Sequence, residues 1–217
     1  MRTRKLLTGL LLYLFYNSGL KLAVLFSQSI VWGVIYIVTG NTWVHMIFAY
    51  NAIASAAFLL LAGMGNNKEI NWERFQLSMP VKRRDMAISQ YLCVAMASLV
   101  GIPIYVAIIA INVLINESAY FTFMTLFTGI APFLAIPFIL AGFVYPLFSI
   151  KSIEDKQEGI FPLFMIASFA IPQLVIWGAG RLEWSVNIAV VITLAVAVII
   201  FIVSYFITRK LYAKMDF

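Results

Sequence analysis

The chain has 217 residues, of which 63% are apolar and only 11% charged, and its mean hydropathy is +0.97. Soluble domains carry about twice that charge fraction. The apolar residues run the whole length, which excludes a soluble domain on one anchor and leaves an integral membrane protein. The net charge of +6 would suggest nucleic acid in a soluble chain. Basic residues also collect on the cytoplasmic side of membrane proteins, so nucleic-acid binding is not expected here.

Residues 1–18 open with Met1-Arg2-Thr3-Arg4-Lys5 and continue as a short apolar run from Leu6 to Tyr16. This is the pattern of a helix lying along the membrane interface, with its basic end in the headgroups. A longer first span and a cleavable leader are the competing readings. Tyr16-Asn17-Ser18 has no Ala-x-Ala pattern and Lys21 follows, which disfavours a leader. Span 1 is expected at about 22–40, ended by Gly40-Asn41-Thr42. Span 2 follows at about 43–64, ended by Gly63 and Gly65.

Residues 66–86 carry eight formal charges and cannot lie in a bilayer, where one Lys or Arg costs roughly 3 kcal/mol at the centre. Span 3 is expected at about 87–114, span 4 at about 120–149, span 5 at about 160–180 and span 6 at about 186–208. A second charged loop, Lys151 to Gly159, separates spans 4 and 5. Only Arg181 to Ser185 separates spans 5 and 6. Runs of this length are helical, because lipid offers backbone groups no partner. Pro103, Pro132, Pro137, Pro146, Pro162 and Pro172 fall inside spans and favour bends.

The expected fold is therefore all-α: one polytopic domain over 1–217, with six transmembrane helices and an interfacial helix. With six spans, fourteen of the fifteen Lys and Arg residues fall on one side, and only Arg181 falls on the other. The positive-inside rule puts the termini and both charged loops in the cytoplasm.

Catalytic chemistry is not expected. The chain lacks Gly-x-Ser-x-Gly, His-Glu-x-x-His, a phosphate-binding glycine loop and paired carboxylates within the spans. A proton-driven carrier usually needs a buried carboxylate or base, and all nine acidic residues fall in loops or at span ends. The single Cys93 and single His45 lie on separate helices and do not make a metal site. They read as packing residues. The polar residues within spans are mild: Gln28, Ser29, Asn51, Ser55, Gln90, Asn112, Gln173, Asn187 and Ser204. Each reads first as an interhelical hydrogen bonder. Gln28, Asn51 and Gln173 lie deepest and are the candidates for a weakly polar substrate path.

The segment 66–86 is more specific. If residues 70–79 are helical, Ile70, Trp72, Phe75 and Met79 form an apolar side, with Glu73 and Arg74 near its edge. The helix stops before Pro80. Lys82, Arg83 and Arg84 then meet headgroups, and Asp85 stands where an N-cap for span 3 is needed. An ordinary loop whose basic end sets topology is the plainer reading.

The run Trp72-Glu73-Arg74-Phe75-Gln76-Leu77-Ser78-Met79-Pro80-Val81-Lys82-Arg83-Arg84-Asp85-Met86 resembles a hallmark of small permeases in the type 2 ABC-exporter family. That pattern is a tryptophan or similar residue, a short helix, then Ser-Leu-Pro-Val-x-Arg. Met79 stands here for the usual leucine, a volume-conserving change. Tyr145-Pro146-Leu147-Phe148, with Glu154, Lys156 and Glu158 beyond, resembles the family's Pro-Leu plus Glu-Lys signature, without the glycine often found there. The resemblance implies a coupling helix between spans 2 and 3, docked through Trp72, Glu73, Arg74, Phe75, Gln76 and Met79 on a cytoplasmic ATPase subunit. It implies two permeases, identical or paralogous, with two ATPases. It places ATP and Mg on the partner, since this chain has no Walker motif and needs no cofactor of its own. Larger members carry a re-entrant hairpin between spans 5 and 6, for which Arg181 to Ser185 leaves little room.

The expected function is thus a bacterial plasma-membrane permease subunit exporting an amphipathic or hydrophobic molecule, with a membrane-active peptide as the preferred substrate. The alternatives are a non-transporting membrane protein, such as a bacteriocin immunity or sensor-assembly factor, and, more remotely, a membrane-embedded enzyme.

Overall fold

The computed structural model describes residues 23–55, 57, 83–116, 123–148, 157–181 and 185–214. All regular structure among them is helical. We label the helices α1 (Ala23–Thr39), α2 (Thr42–Ala49), α3 (Arg83–Asn116), α4 (Phe123–Phe148), α5 (Gln157–Arg181) and α6 (Val186–Lys214). The expected interfacial helix at 1–18 and the docking residues Trp72, Glu73, Arg74, Phe75, Gln76 and Met79 lie outside the described residues.

Four helices contain stretches long and apolar enough to cross a membrane: Ala87–Asn116, Leu126–Leu147, Pro162–Ala179 and Val186–Ala213. Ala23–Thr39 is a shorter apolar helix. These fall on expected spans 3, 4, 5, 6 and 1.

The break between α1 and α2 follows from three residues. Thr39 ends α1, and Gly40 takes φ of 60°, where its missing Cβ removes the penalty. The Gly40 amide still donates to the Tyr36 carbonyl at 2.8 Å. Asn41 then caps α2: its Oδ1 accepts from the Trp43 amide at 2.8 Å.

The continuation of α2 differs from a plain helix. Tyr50–Ala54 is a π segment, in which the Ser55 amide donates to the Tyr50 carbonyl five residues back. Widening a turn disturbs the backbone ladder, and Asn51 compensates: its Nδ2 donates to the Ile47 carbonyl at 2.8 Å. The Ser55 hydroxyl donates in turn to the Asn51 carbonyl.

This wide turn is where α3 comes closest. A Cβ built on Gly101 would lie 1.6 Å from the Ala52 carbonyl oxygen, so only glycine lets the two backbones meet. Ala52, Ile53, Ala54 and Ala57 are all fully buried around this contact.

Helix α4 is the centre of the bundle. It packs most extensively on α6 and also touches α5, α3 and the π segment. Small residues permit this: Ala135 and Ala197 are fully buried in one cluster with Ile139. A Cβ on Gly142 would stand 2.5 Å from Ile200 Cγ2. The prolines expected to bend the spans sit inside helices that run on through them: Pro103 in α3, Pro132, Pro137 and Pro146 in α4, and Pro162 and Pro172 in α5. Neighbouring helices can satisfy the carbonyls that proline frees.

Helix α3 begins four residues ahead of the expected span. Asp85 falls in its first turn rather than at an N-cap. Negative charge there meets the positive end of the helix dipole, and a helix leaving the apolar layer keeps its own hydrogen bonds.

Gly101→Ala is expected to destabilise the bundle by about 1–3 kcal/mol or more, the usual cost of overpacking. Gly178→Ala, where a Cβ meets nothing within 4 Å, should leave stability unchanged. Thermal unfolding in detergent, followed by the monodisperse fraction, checks both.

Candidate functional site

Charge defines two ends of the bundle. Arg83, Arg84 and Asp85 open α3, Glu158 lies at the start of α5, and Arg209, Lys210 and Lys214 close α6. Among the described residues only Arg181, at the end of α5, is charged at the other end. Arg181 lies over the Trp177 ring at 5.0 Å. In the sequence, residues 66–82 precede α3 at the basic end.

Just inside the basic end a buried polar layer joins three helices. Tyr91 on α3 shares hydrogen bonds with the Ser204 and Thr208 hydroxyls of α6, the latter at 2.9 Å. Gln90 Nε2 donates to the Tyr212 hydroxyl at 3.1 Å. The Tyr145 hydroxyl of α4 donates to the Gln90 carbonyl at 3.1 Å. All six residues are buried. Tyr91 also sits 4.7 Å from the Tyr145 ring and 4.9 Å from Phe201, centroid to centroid. These contacts fasten the base of α3 to the ends of α4 and α6.

The sequence supports this locally. Ser204, Thr208 and Tyr212 are four residues apart and share one face of α6. Gln90 and Tyr91 are neighbours on α3, and together they reach both α4 and α6. Cys93 is buried one turn further in, as a packing residue.

The opposite end has a second layer, about 21 Å away along α3 if counted from Tyr91 to Tyr105 at 1.5 Å per residue. His45 Nε2 and the Tyr105 hydroxyl are 2.8 Å apart. Tyr36 of α1 lies 4.9 Å from the His45 ring. Phe48 stacks on Tyr105 at 5.4 Å and on Tyr36 at 6.4 Å. Asn112 Nδ2 reaches the Tyr36 hydroxyl at 3.5 Å, and Asn116 Nδ2 donates to Asn112 Oδ1 at 2.7 Å and to the Ile37 carbonyl at 3.3 Å.

The three path candidates are not brought together. Gln28 is exposed on α1 and Gln173 is exposed on α5. Asn51 is half-buried and its amide serves its own helix. Gln90, Asn112 and Ser204, read as interhelical bonders, do bond between helices or within the far layer. The tyrosines 91, 105, 145 and 212, and the histidine's link to one of them, had no comparable signal. Tyrosine in an apolar span reads as bulk until its hydroxyl's partner is known. The i, i+4, i+8 spacing of Ser204, Thr208 and Tyr212 is the sequence signal that marks the basic-end layer.

Apolar helices of membrane-crossing length, basic residues at one end and hydroxyl-bearing layers between helices define a multi-pass α-helical membrane protein. The sequence model of the family described as ABC-2 family transporter protein matches residues 9–213. The chain belongs to that family. No curated protein and no solved structure matches it.

Tyr91→Phe is expected to lower stability by roughly 0.6–2 kcal/mol, the range for hydrogen bonds between membrane helices. In a double-mutant cycle with Thr208→Val the two effects should fall short of additive, because both remove one bond. Unfolding of the four proteins in mixed micelles measures the coupling.

Proposed function

We propose that the chain is the permease subunit of an ATP-binding-cassette exporter, driven by a separate cytoplasmic ATPase that holds the ATP and Mg. The observation that carries this reading is the family match, which spans nearly all of the sequence. The basic end faces the cytoplasm, with six spans and both termini on that side. This agrees with the positive-inside distribution. The segment 66–86 is the coupling element, and Trp72, Glu73, Arg74, Phe75, Gln76 and Met79 dock on the ATPase.

The stroke passes from there into α3. Because Gln90 and Tyr91 tie α3 to α4 and α6, the three helix ends move as one body. A force applied at Arg83 therefore shifts a packed unit rather than one helix. Two permease copies, identical or paralogous, enclose the path. Gln28 and Gln173 support this pairing. Each is an exposed amide on an otherwise apolar helix, and hydrocarbon offers it no partner. A second protein surface, or the path itself, does.

The cargo is an amphipathic or hydrophobic molecule, with a membrane-active peptide as the preferred case. Mostly apolar spans with a few amides suit such a molecule better than a sugar or an ion. The outward direction follows the family resemblance, and the setting is a bacterial plasma membrane.

Affinity purification of the solubilised chain, followed by mass spectrometry, should recover a stoichiometric ATP-binding-cassette protein. Phe75→Ala, or charge reversal at Glu73 or Arg74, should abolish its recovery and uncouple export while leaving insertion intact. Recovery of the folded chain alone would instead favour a non-transporting role. Normal export by those variants at normal expression would remove the docking assignment.

A further inference from the structure

We infer that the His45–Tyr105 pair is a pH-responsive latch at the end of the bundle opposite the basic layer, closed while the imidazole is neutral and released when the ring takes up a second proton from the water on that side. It rests on the permease reading only for what it gates, the outward mouth of the path.

The pair joins α2 to α3 through a 2.8 Å contact between His45 Nε2 and the Tyr105 hydroxyl. A neutral imidazole can accept at one nitrogen and donate at the other, so it completes this bond in either tautomer. The doubly protonated ring only donates. It would need acceptors at both nitrogens and a counter-charge to remain half-buried.

The Tyr105 hydroxyl can accept at Nε2, but among the described residues the surroundings supply no counter-charge. Helix α1 presents Tyr36 to the ring, and α3 presents Tyr105. Helix α4 approaches the Tyr105 side through Gly129, with apolar Leu126 and Ile130 in the same cluster. Among the described residues α1, α2, the π segment and α4 carry no Asp, Glu, Lys or Arg. The charges of α3 are Arg83, Arg84 and Asp85, with Asp85 about 30 Å along the helix from Tyr105 at 1.5 Å per residue. Tyrosine faces attract a cation only weakly compared with what desolvating one costs.

Geometry also decides which partner moves. A Cβ on Gly129 would lie 2.1 Å from the Tyr105 hydroxyl oxygen, so α4 already fills the space behind it. Tyr105 is buried, whereas His45 is one turn from the exposed start of α2 at Asn41, Thr42 and Trp43. The charged ring therefore leaves toward water and takes the start of α2 away from α3. The sign follows: the closed state needs neutral His45 and is lost as pH falls through the range in which histidine titrates.

The test is a spin-label distance between Trp43→Cys on α2 and Leu114→Cys on α3, both exposed positions, in full-length Cys93→Ala protein in nanodiscs. Between about pH 8 and about pH 5 the distance should lengthen or its distribution broaden. His45→Gln should abolish that shift, and Tyr105→Phe should give the low-pH distribution already at high pH. Glu117→Gln, outside the described residues, should leave the shift in place. A distance that ignores pH, a shift that survives His45→Gln, an unaltered Tyr105→Phe, or a shift lost in Glu117→Gln would each overturn the latch. No ATPase or cargo enters the measurement, so its failure is separable from failure of the transport reading.

Discussion

Hydrocarbon accepts no hydrogen bonds, and most of the buried polar groups described in this bundle are arranged around that fact. The Ser and Thr hydroxyls mostly turn back to a carbonyl of their own helix: Ser29 to Leu25, Ser98 to Val94, Thr193 to Ala189. This satisfies them without joining helices. The tyrosine hydroxyls cannot reach back in this way and must find partners on another helix. Tyr91, Tyr145, Tyr212 and Tyr105 do so, and these longer side chains supply much of the polar cross-linking of the bundle. Two fastened layers result, one near each end of α3, with a mainly apolar middle where Gly101 and the π segment let backbones approach.

That arrangement separates rigidity from mobility. The basic-end layer involves six buried residues and three helices, and the bonds reinforce one another around Gln90 and Tyr91. The far layer joins buried Tyr105, Phe48 and Asn112 to half-buried His45 and exposed Asn116. The bundle is thus fastened more firmly at its basic end than at the opposite one.

Helix positions were largely legible in the sequence, because apolar runs of this length bounded by charge permit little else. The Gly40-Asn41-Thr42 break was readable to within a residue, since glycine and asparagine each have a local conformational reason to be there. The π segment was not. An extra residue in one turn leaves hydropathy unchanged and depends on how closely α3 packs. Asp85 looked like a cap because its residue type suits one, but helix geometry does not stop where apolar character does. For the candidate site, amides were readable as hydrogen bonders. Which tyrosine each would meet depends on helix rotation and depth, which composition does not encode. Gln28 and Gln173 were readable as unusual, and the fold puts them on outward faces rather than together.

The π segment also fixes a count. Each residue advances an α-helix by about 100°. Between the Asn41 cap and buried Ala57, the chain must therefore contain one residue more than an unbroken α-helix of the same span would use. Deleting a single residue from Tyr50–Ala54 would restore regular α-helical bonding and leave composition almost untouched. The flanking faces would keep their register, because the residue removed is the one the wide turn holds in excess. The same deletion made in regular helix, within Thr42–Ala49, would instead swing everything on one side by roughly a quarter of a turn and part the His45 face from buried Ala57. The wide turn is thus the one stretch of this helix where a change of length can be absorbed.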